Sequence, residues 1–351
     1  ELAAARSRVL APPELLARLD RPLPLLVDGP RDQPARLRTM RDAVGWSYDL
    51  LAPEEQEFFR RLSIFVGGFD MAAAEALASP AGPEVLAPLS ALIESSLLLR
   101  ENAAADRYRF RMLETVREFG RERLAEAGEE QSVAFRHAAW CMAVAERARA
   151  SGGLSQAACL TELERNLANF GHAVAWLIEQ GRFEESLTLV GLIAPVWLRR
   201  HRFAEGTLWL ERSLAAGDRS PSKARAIALC MLSTLCWPGH RYDRVAALLS
   251  EAEAVAAALA DPHAAALVRL HAAYHAVFVG DLEAASAAAE AAQVGLDEAG
   301  DWFNLNGALW TIAFAAALRG DVDAAAPAYQ RLLEAALTWD DQVSLVNVEF
   351  G

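Results

Sequence analysis

From Arg36 onward the apolar residues recur at steps of three and four. Leu37, Met40, Val44, Tyr48 and Leu51 form one helical stripe, which Pro53 ends. Pro53-Glu54-Glu55 opens a second helix, with proline in the first turn and acids at the positive end of the helix dipole. It turns Phe58, Phe59, Leu62 and Phe65 inward, and Gly67-Gly68 stops it. Asp70 is the expected N-cap of a short helix to Ala78, and Glu84 to Glu94 reads as a fourth helix burying Leu86, Leu89, Leu92 and Ile93. The period then changes to two. Ser96 to Arg100 and Arg107 to Arg111, joined by Asn102 to Asp106, predict a β-hairpin, and Leu113 to Ala127 predicts a helix ending at Gly128.

Helices followed by a hairpin are the order of a winged helix. From about Val133 the chain offers no further strand and becomes alanine-rich helix with an internal repeat. Turn-like triplets stand at His201-Arg202-Phe203, His240-Arg241-Tyr242, Gly280-Asp281-Leu282 and Gly320-Asp321-Val322, at intervals of 39, 40 and 40 residues. Seven residues before each turn is a small residue (Ala194, Ser233, Ala273, Ala313), and five after it stand Gly206, Val245, Ala285 and Ala325. Small residues at those offsets let two antiparallel helices approach closely, as a helix-turn-helix repeat requires. Tetratricopeptide units repeat at about 34 residues, so these helices are longer by roughly one turn. The expected fold is mainly α: a winged-helix domain with a small β-hairpin, then a tetratricopeptide-like α-superhelix. The expected divisions are 1–35, 36–128, 129–182 and 183–351, with four hairpins over 183–338 and a leading helix from Leu163 to Gln180. Residues 1–35 suggest one helix, Pro13 to Leu19, and a Pro- and Gly-rich linker.

Charge narrows the possible partners. Residues 1–150 carry 20 basic and 23 acidic side chains, and residues 151–351 carry 14 and 24, a net of −3 and −10. A binder of the phosphate backbone needs the opposite bias. Lys223 is the single lysine and has no glycine-rich loop before it, so no G-x-x-x-x-G-K-[ST] phosphate loop exists in the chain. The longest run without Asp, Glu, Lys or Arg is the 17 residues Trp302 to Leu318, too short and too polar to suggest a membrane span. Glu1 to Arg6 shows neither an initiator Met nor an export signal and looks like a domain cut, and Cys141, Cys159, Cys230 and Cys236 lack paired spacing. A cytoplasmic protein with buried thiols is expected.

Candidate chemistry is sparse. The helix Glu84 to Glu94 has no Arg, Lys, Asn or Gln to read base edges, so no direct DNA contact is expected, although Arg100, Arg107, Arg109 and Arg111 on the wing argue the other way. His271 and His275 stand four apart on one helix, a metal-ligand spacing, yet no Glu separates them and no third ligand is spaced to help. No convergent catalytic set is visible, and neither a metal nor an enzymatic activity is expected of this chain. By repeat register Thr234, Trp237, Tyr274, Trp310 and Phe314 fall where such solenoids line their concave groove, while Trp197 falls at a core offset. Those five are the candidate site for a small effector or protein partner, set against the plainer reading of an aromatic stripe in the core.

Ala43-Val44-Gly45-Trp46-Ser47-Tyr48-Asp49-Leu50-Leu51-Ala52-Pro53-Glu54-Glu55, then Phe58 to Phe65 and Gly67-Gly68-Phe69, resemble the winged-helix part of STAND or NB-ARC switch ATPases. The bacterial branch found in large LuxR-type and SARP-like transcriptional regulators is the nearest, and Tyr108 to Phe119 carries a second stretch of the likeness. The resemblance implies that residues 1–35 end the helical part of a nucleotide-binding module whose ATPase core precedes Glu1. It implies ATP and ADP as ligands of the longer protein, none in this chain, and that ATPase domain as the winged helix's partner. The family's Met-His-Asp sensor corresponds to Met112, Leu113 and Glu114, where leucine cannot sense phosphate. Arg109 or Arg111 stands near enough in sequence to substitute, set against the plainer and favoured reading of a solvated strand face. Two functions stay open: a regulatory module of a nucleotide-switched regulator, or a helical-repeat adaptor capped by a winged helix.

Overall fold

The structure, a computed structural model, describes residues 39–78, 85–102, 108–150, 157–239, 241–338 and 342–349. The helix expected over Pro13 to Leu19, together with Leu37, Glu84, Arg107 and the connection after Asn102, lies outside those residues. Two compact units divide the chain, residues 1–140 and 141–351.

The first unit is a winged helix. Helix α1 (Met40–Asp49) starts at Thr39, whose hydroxyl accepts the Asp42 N–H at 3.0 Å. In α2 (Pro53–Leu62) the Glu55 carboxylate reaches back to accept the Ala52 N–H at 2.9 Å. Asp70 caps α3 (Met71–Leu77) through the Ala73 N–H at 2.9 Å. Helix α4 (Leu86–Glu94) leads into strands β1 (Leu99–Asn102) and β2 (Tyr108–Arg111), paired antiparallel with Arg100 opposite Phe110. Phe69 adds a one-residue third edge, exchanging two backbone hydrogen bonds of 2.9 and 2.8 Å with Phe110. Helix α5 (Glu114–Glu126) closes the unit against α1 and α2, and α6 (Glu130–Ala150) follows. Large rings fill the centre: Tyr48 stands 5.4 Å from Phe59 and 5.6 Å from Phe119, and Phe65 stacks on Phe69 at 4.7 Å.

Two expectations fail here, one at each end of α4. Leu86 is 60% exposed, because α4 begins with it and presents Leu89 and Leu92 inward instead. The first strand begins at Leu99, not Ser96. Ser96 takes a left-handed φ of 57°, and the N–H groups of Leu97 and Leu98 both donate to the Leu92 carbonyl, at 3.0 and 3.1 Å. Leu97 and Leu98 therefore belong to the helix terminus and pack into the core as its cap.

The second unit is helical throughout its described residues. The leading helix is not continuous. It divides at Asn166 into α7 (Ala157–Arg165) and α8 (Leu167–Glu179), where the buried Asn166 amide donates to the Glu162 carbonyl at 3.0 Å and competes with the helical ladder. Four antiparallel hairpins follow: α9 (Phe183–Arg199) with α10 (Phe203–Ala216), α11 (Lys223–Leu235) with α12 (Tyr242–Leu259), α13 (Pro262–Val279) with α14 (Leu282–Glu298), and α15 (Trp302–Leu318) with α16 (Val322–Thr338). A final helix is α17 (Gln342–Glu349). Ala194, Ser233, Ala273, Ala313, Gly206, Val245, Ala285 and Ala325 are all buried, as close helix approach demands. Gly206 is the tightest of these, since a Cβ there would lie 2.6 Å from Leu235 and 2.8 Å from Trp197. Trp197 itself is 1% exposed and sits in the core. Asp261, Asp281, Asp301 and Asp321 cap four successive helices, each accepting a backbone N–H in the first turn.

Candidate functional site

On the winged helix, the sensor-motif position is split between two environments. Met112 is buried at the foot of β2, Leu113 is 46% exposed as the N-cap residue of α5, and Glu114 is paired with Arg117 at 2.5 Å. A cavity of about 200 Å³ lies beside them, lined by Gly67, Gly68, Arg111, Met112, Glu114 and Arg117. Arg111 bonds Glu101 at 2.6 Å and Arg109 donates to the Gly68 carbonyl at 3.0 Å, so both wing arginines are engaged within the fold.

That engagement extends over the unit. Arg41 pairs with Glu122, Arg60 and Arg61 with Glu129, Arg121 with Glu130 and Arg123 with Glu126. Arg100 lies over the Tyr108 ring and Arg136 donates to the Ala78 carbonyl. Each described arginine of the first unit thus has an intramolecular partner. The outward residues of α4 are Leu86, Ala87, Ser90 and Glu94, an uncharged-to-acidic face with nothing suited to base edges.

In the second unit, the first helices of the hairpins enclose a trough with two chambers. The first, about 610 Å³, takes walls from α6, α9, α11, α13 and α15. The second, about 350 Å³, takes walls from α9, α11, α13, α15 and α17. Pro195, Met231, His271, Phe303 and Asn304 border both and form the waist between them. Pro195 has no N–H to give the Gly191 carbonyl one turn earlier, so the wall of the first chamber contains a backbone acceptor without its helical donor.

A polar cluster closes one end of the first chamber. The Asp301 carboxylate accepts from His263 Nε2 and Asn304 Nδ2, each at 2.8 Å, and faces Arg149 at 3.3 Å. Burial pushes this carboxyl up, but the bonds from His263 and Asn304 and the Arg149 charge outweigh it and hold the group below the usual carboxylate range. At the waist His271 is 3% exposed, and its Nδ1 lies 2.9 Å from the Thr234 hydroxyl. Burial drives the His271 pKa down to about 4, so the ring is neutral near pH 7. His275 stands away from that pair, its ring 6.2 Å from Tyr242, and among the described residues no group of His, Cys, Asp and Glu is placed to hold a metal ion. All four cysteines are buried free thiols, and burial pushes Cys230 up to about 12, which leaves it unreactive.

The five groove residues read from the repeat register converge on the second chamber or its edge. Trp237, Tyr274 and Trp310 line it, and Thr234 contributes a buried wall. Phe314 does not border the chamber; it stacks on Trp310 at 4.9 Å and 13°. Arg199, Phe278, Phe303, Asn306 and Ser344 also border it and were not among the candidates. Arg199 and Phe278 were within reach of the register, since both stand two residues before their turns. Ser344 was not, because it belongs to a helix beyond the last complete hairpin.

The described residues form a winged helix and a helical-repeat unit, and the comparisons agree with that fold. Residues 51–125 match the winged helix-turn-helix domain family. The chain is similar to a Mycobacterium tuberculosis protein with the provisional name of HTH-type transcriptional regulator: 35% identical over 280 residues, 77% of this chain and 31% of that protein. It is also 33% identical over 141 residues to an uncharacterised protein of the same organism, covering 39% of this chain and 36% of the relative. The chain therefore spans about a third of the length of these relatives. Among solved structures it resembles a STAND protein (signal transduction ATPase with numerous domains) with a tetratricopeptide repeat sensor from Pyrococcus horikoshii. The TM-score is 0.50 at 16% identity over 99% of this chain and 55% of that one, a likeness of fold. Among the described residues no helix is long and apolar enough to cross a membrane.

Proposed function

We propose that this chain is the regulatory part of a nucleotide-switched, STAND-type bacterial transcriptional regulator of the LuxR-type or SARP-like branch. The observation that carries the proposal is a winged helix whose arginines are bound internally, in the same chain as a helical-repeat trough large enough for a ligand. A winged helix whose described arginines are all engaged within the fold is suited to packing against protein, here a preceding ATPase domain, in preference to DNA. The repeats then act as the input, receiving a small-molecule or protein effector in the trough. A ligand shifts such a switch only by its different affinity for the two states, and a site walled by several repeats responds to any change in their stacking.

In this reading the chain catalyses nothing and binds no nucleotide by itself; ATP and ADP belong to the longer protein. Calorimetry on residues 1–351 with millimolar ATP or ADP should show no heat of binding, and micromolar affinity would overturn the division of labour. The trough is tested separately in the longer regulator: replacing Trp237 and Trp310 together by Ala should abolish the transcriptional response while leaving nucleotide binding intact. An undiminished response would remove the trough as the input site.

A further inference from the structure

The waist between the two chambers holds polar atoms that the fold leaves without partners. His271, 3% exposed, borders both chambers. The Thr234 hydroxyl gives its one hydrogen to the Cys230 carbonyl at 3.2 Å, so across the 2.9 Å to His271 Nδ1 it accepts. A neutral imidazole carries a single N–H, and Nε2 is thereby a bare acceptor with no hydrogen-bond partner among the described residues. Asn304, which also borders both chambers, is fixed in the same way. The Asp301 carboxylate can only accept, so the Asn304 atom facing it at 2.8 Å is Nδ2. That leaves Asn304 Oδ1 and its second amide hydrogen unpaired among the described residues. With the Gly191 carbonyl of the first chamber, acceptors outnumber donors here, and a ligand has to bring an N–H or O–H of its own.

Charges around the trough are committed elsewhere. Arg149 and His263 face Asp301, Arg199 is engaged within the chain, and Glu146 is exposed to solvent. Burial pushes the Tyr274 hydroxyl well above its ordinary range, so it stays neutral. An ion entering this space sheds its hydration without gaining a counter-charge, which favours a neutral ligand.

Beyond the waist the walls are rings. Trp237 stands perpendicular to Tyr274 (5.8 Å, 88°), and Tyr274 and Trp310 are 6.4 Å apart. The Tyr274 hydroxyl reaches α15 at Gly307, where any Cβ would overlap it, so glycine leaves room for the ring. A volume of about 350 Å³ is at the small end of ligand pockets and suits one or two fused rings. A polyol of that size would bury more hydroxyls than the waist can pair, whereas a flat body with one polar edge matches both the rings and the few polar atoms.

We propose that the waist and second chamber bind a neutral planar ring amide, a lactam fused to an aromatic ring. Its faces lie against Tyr274 and Trp310, its N–H is donated to the acceptors of His271 and Asn304, and its C=O accepts from Asn304 Nδ2. This deepens the reading of the trough as an input site and rests on it.

The test is equilibrium dialysis of the full 351-residue chain against 2-quinolone, 1-methyl-2-quinolone, quinoline-2-carboxylate and 1-methylquinolinium. The four share a ring system and differ in the amide N–H and in charge. 2-Quinolone should saturate one site and bind at least about tenfold more tightly than each of the others, a difference of ~1.4 kcal/mol. His271→Phe, which keeps a ring and removes Nε2, and Asn304→Leu, which removes the amide, should each weaken 2-quinolone about tenfold and leave 1-methyl-2-quinolone within about threefold. Trp310→Ala should weaken both lactams alike. The two waist variants are independent, so Asn304→Leu decides the matter if His271→Phe does not fold. Tightest binding by a charged probe, equal affinity for the methylated lactam, 2-quinolone affinity indifferent to the waist variants, or no saturation by any probe below millimolar concentration would each overturn the ligand class. None of those results touches the reporter experiment above, so failure of the chemistry and failure of the input site are told apart.

Discussion

The winged helix and the repeats solve the packing problem in opposite ways. The first unit gathers large rings at one centre, with Tyr48, Phe59, Phe65, Phe69 and Phe119 interlocked. The second packs alanine on alanine, so that Ala273, Ala285, Ala289 and Ala308 are all fully buried between its helices. With many interhelical contacts made by small side chains, Trp237, Tyr274 and Trp310 can line the trough, while Trp197 and Phe170 remain in the core. A single-centred core couples every residue to folding, whereas a stacked array couples mainly neighbours and leaves one face available for recognition.

That contrast yields ordered expectations. Phe59→Ala, at the centre of the ring cluster, should cost about 3–5 kcal/mol and lower the melting of the first unit. A loss of under about 1 kcal/mol, read by chemical denaturation, would show that the cluster is not the organising core. Next in size is His271, whose folded pKa of about 4 lies below its unfolded value near 6.5. In that interval the unfolded chain holds the extra proton, so stability falls as pH drops from about 6.5 toward 4, by up to about 3 kcal/mol. His271→Gln should flatten this acid limb relative to wild type in melts recorded across that range, and an unchanged slope would assign the limb to carboxylates instead. Gly206→Ala, forced against Leu235 and Trp197, should cost about 1–3 kcal/mol despite alanine's better helix propensity, and a stabilised variant would mean that α10 can move away freely. Smallest is Leu86→Ala: at 60% exposure it should change stability by no more than about 0.5 kcal/mol, and a larger loss would restore the inward face first expected of α4.

Much of the fold was legible because both units advertise themselves locally. Period changes placed the winged-helix elements in order, and the small residues flanking each turn gave the hairpins. A finer signal went unread: Asp261, Asp281, Asp301 and Asp321 recur every twenty residues, each directly after the residue that ends the previous helix or its turn. What pattern could not give was the outcome of side chain competing with backbone, as at Asn166, or a helix terminus that claims residues resembling a strand, as at Leu97 and Leu98. Groove residues on the first helices were reachable from the register. The division of the trough into two chambers with a shared waist depends on the spacing between repeats, which no local pattern encodes.

Contact and recognition occupy adjacent positions in each repeat. The residue seven before the turn is buried between helices, and the next one along, Pro195, Thr234 or Tyr274 in the first three hairpins, borders the trough, while Phe314 in the fourth stacks on Trp310. A scaffold address thus sits beside a specificity address, and the second can be rewritten without disturbing the first. Exchanging whole hairpins between related proteins, or substituting only at the second address, should retune which molecule is recognised while the stacking persists. Such a trough is a surface on which inputs can diversify faster than the fold that carries them.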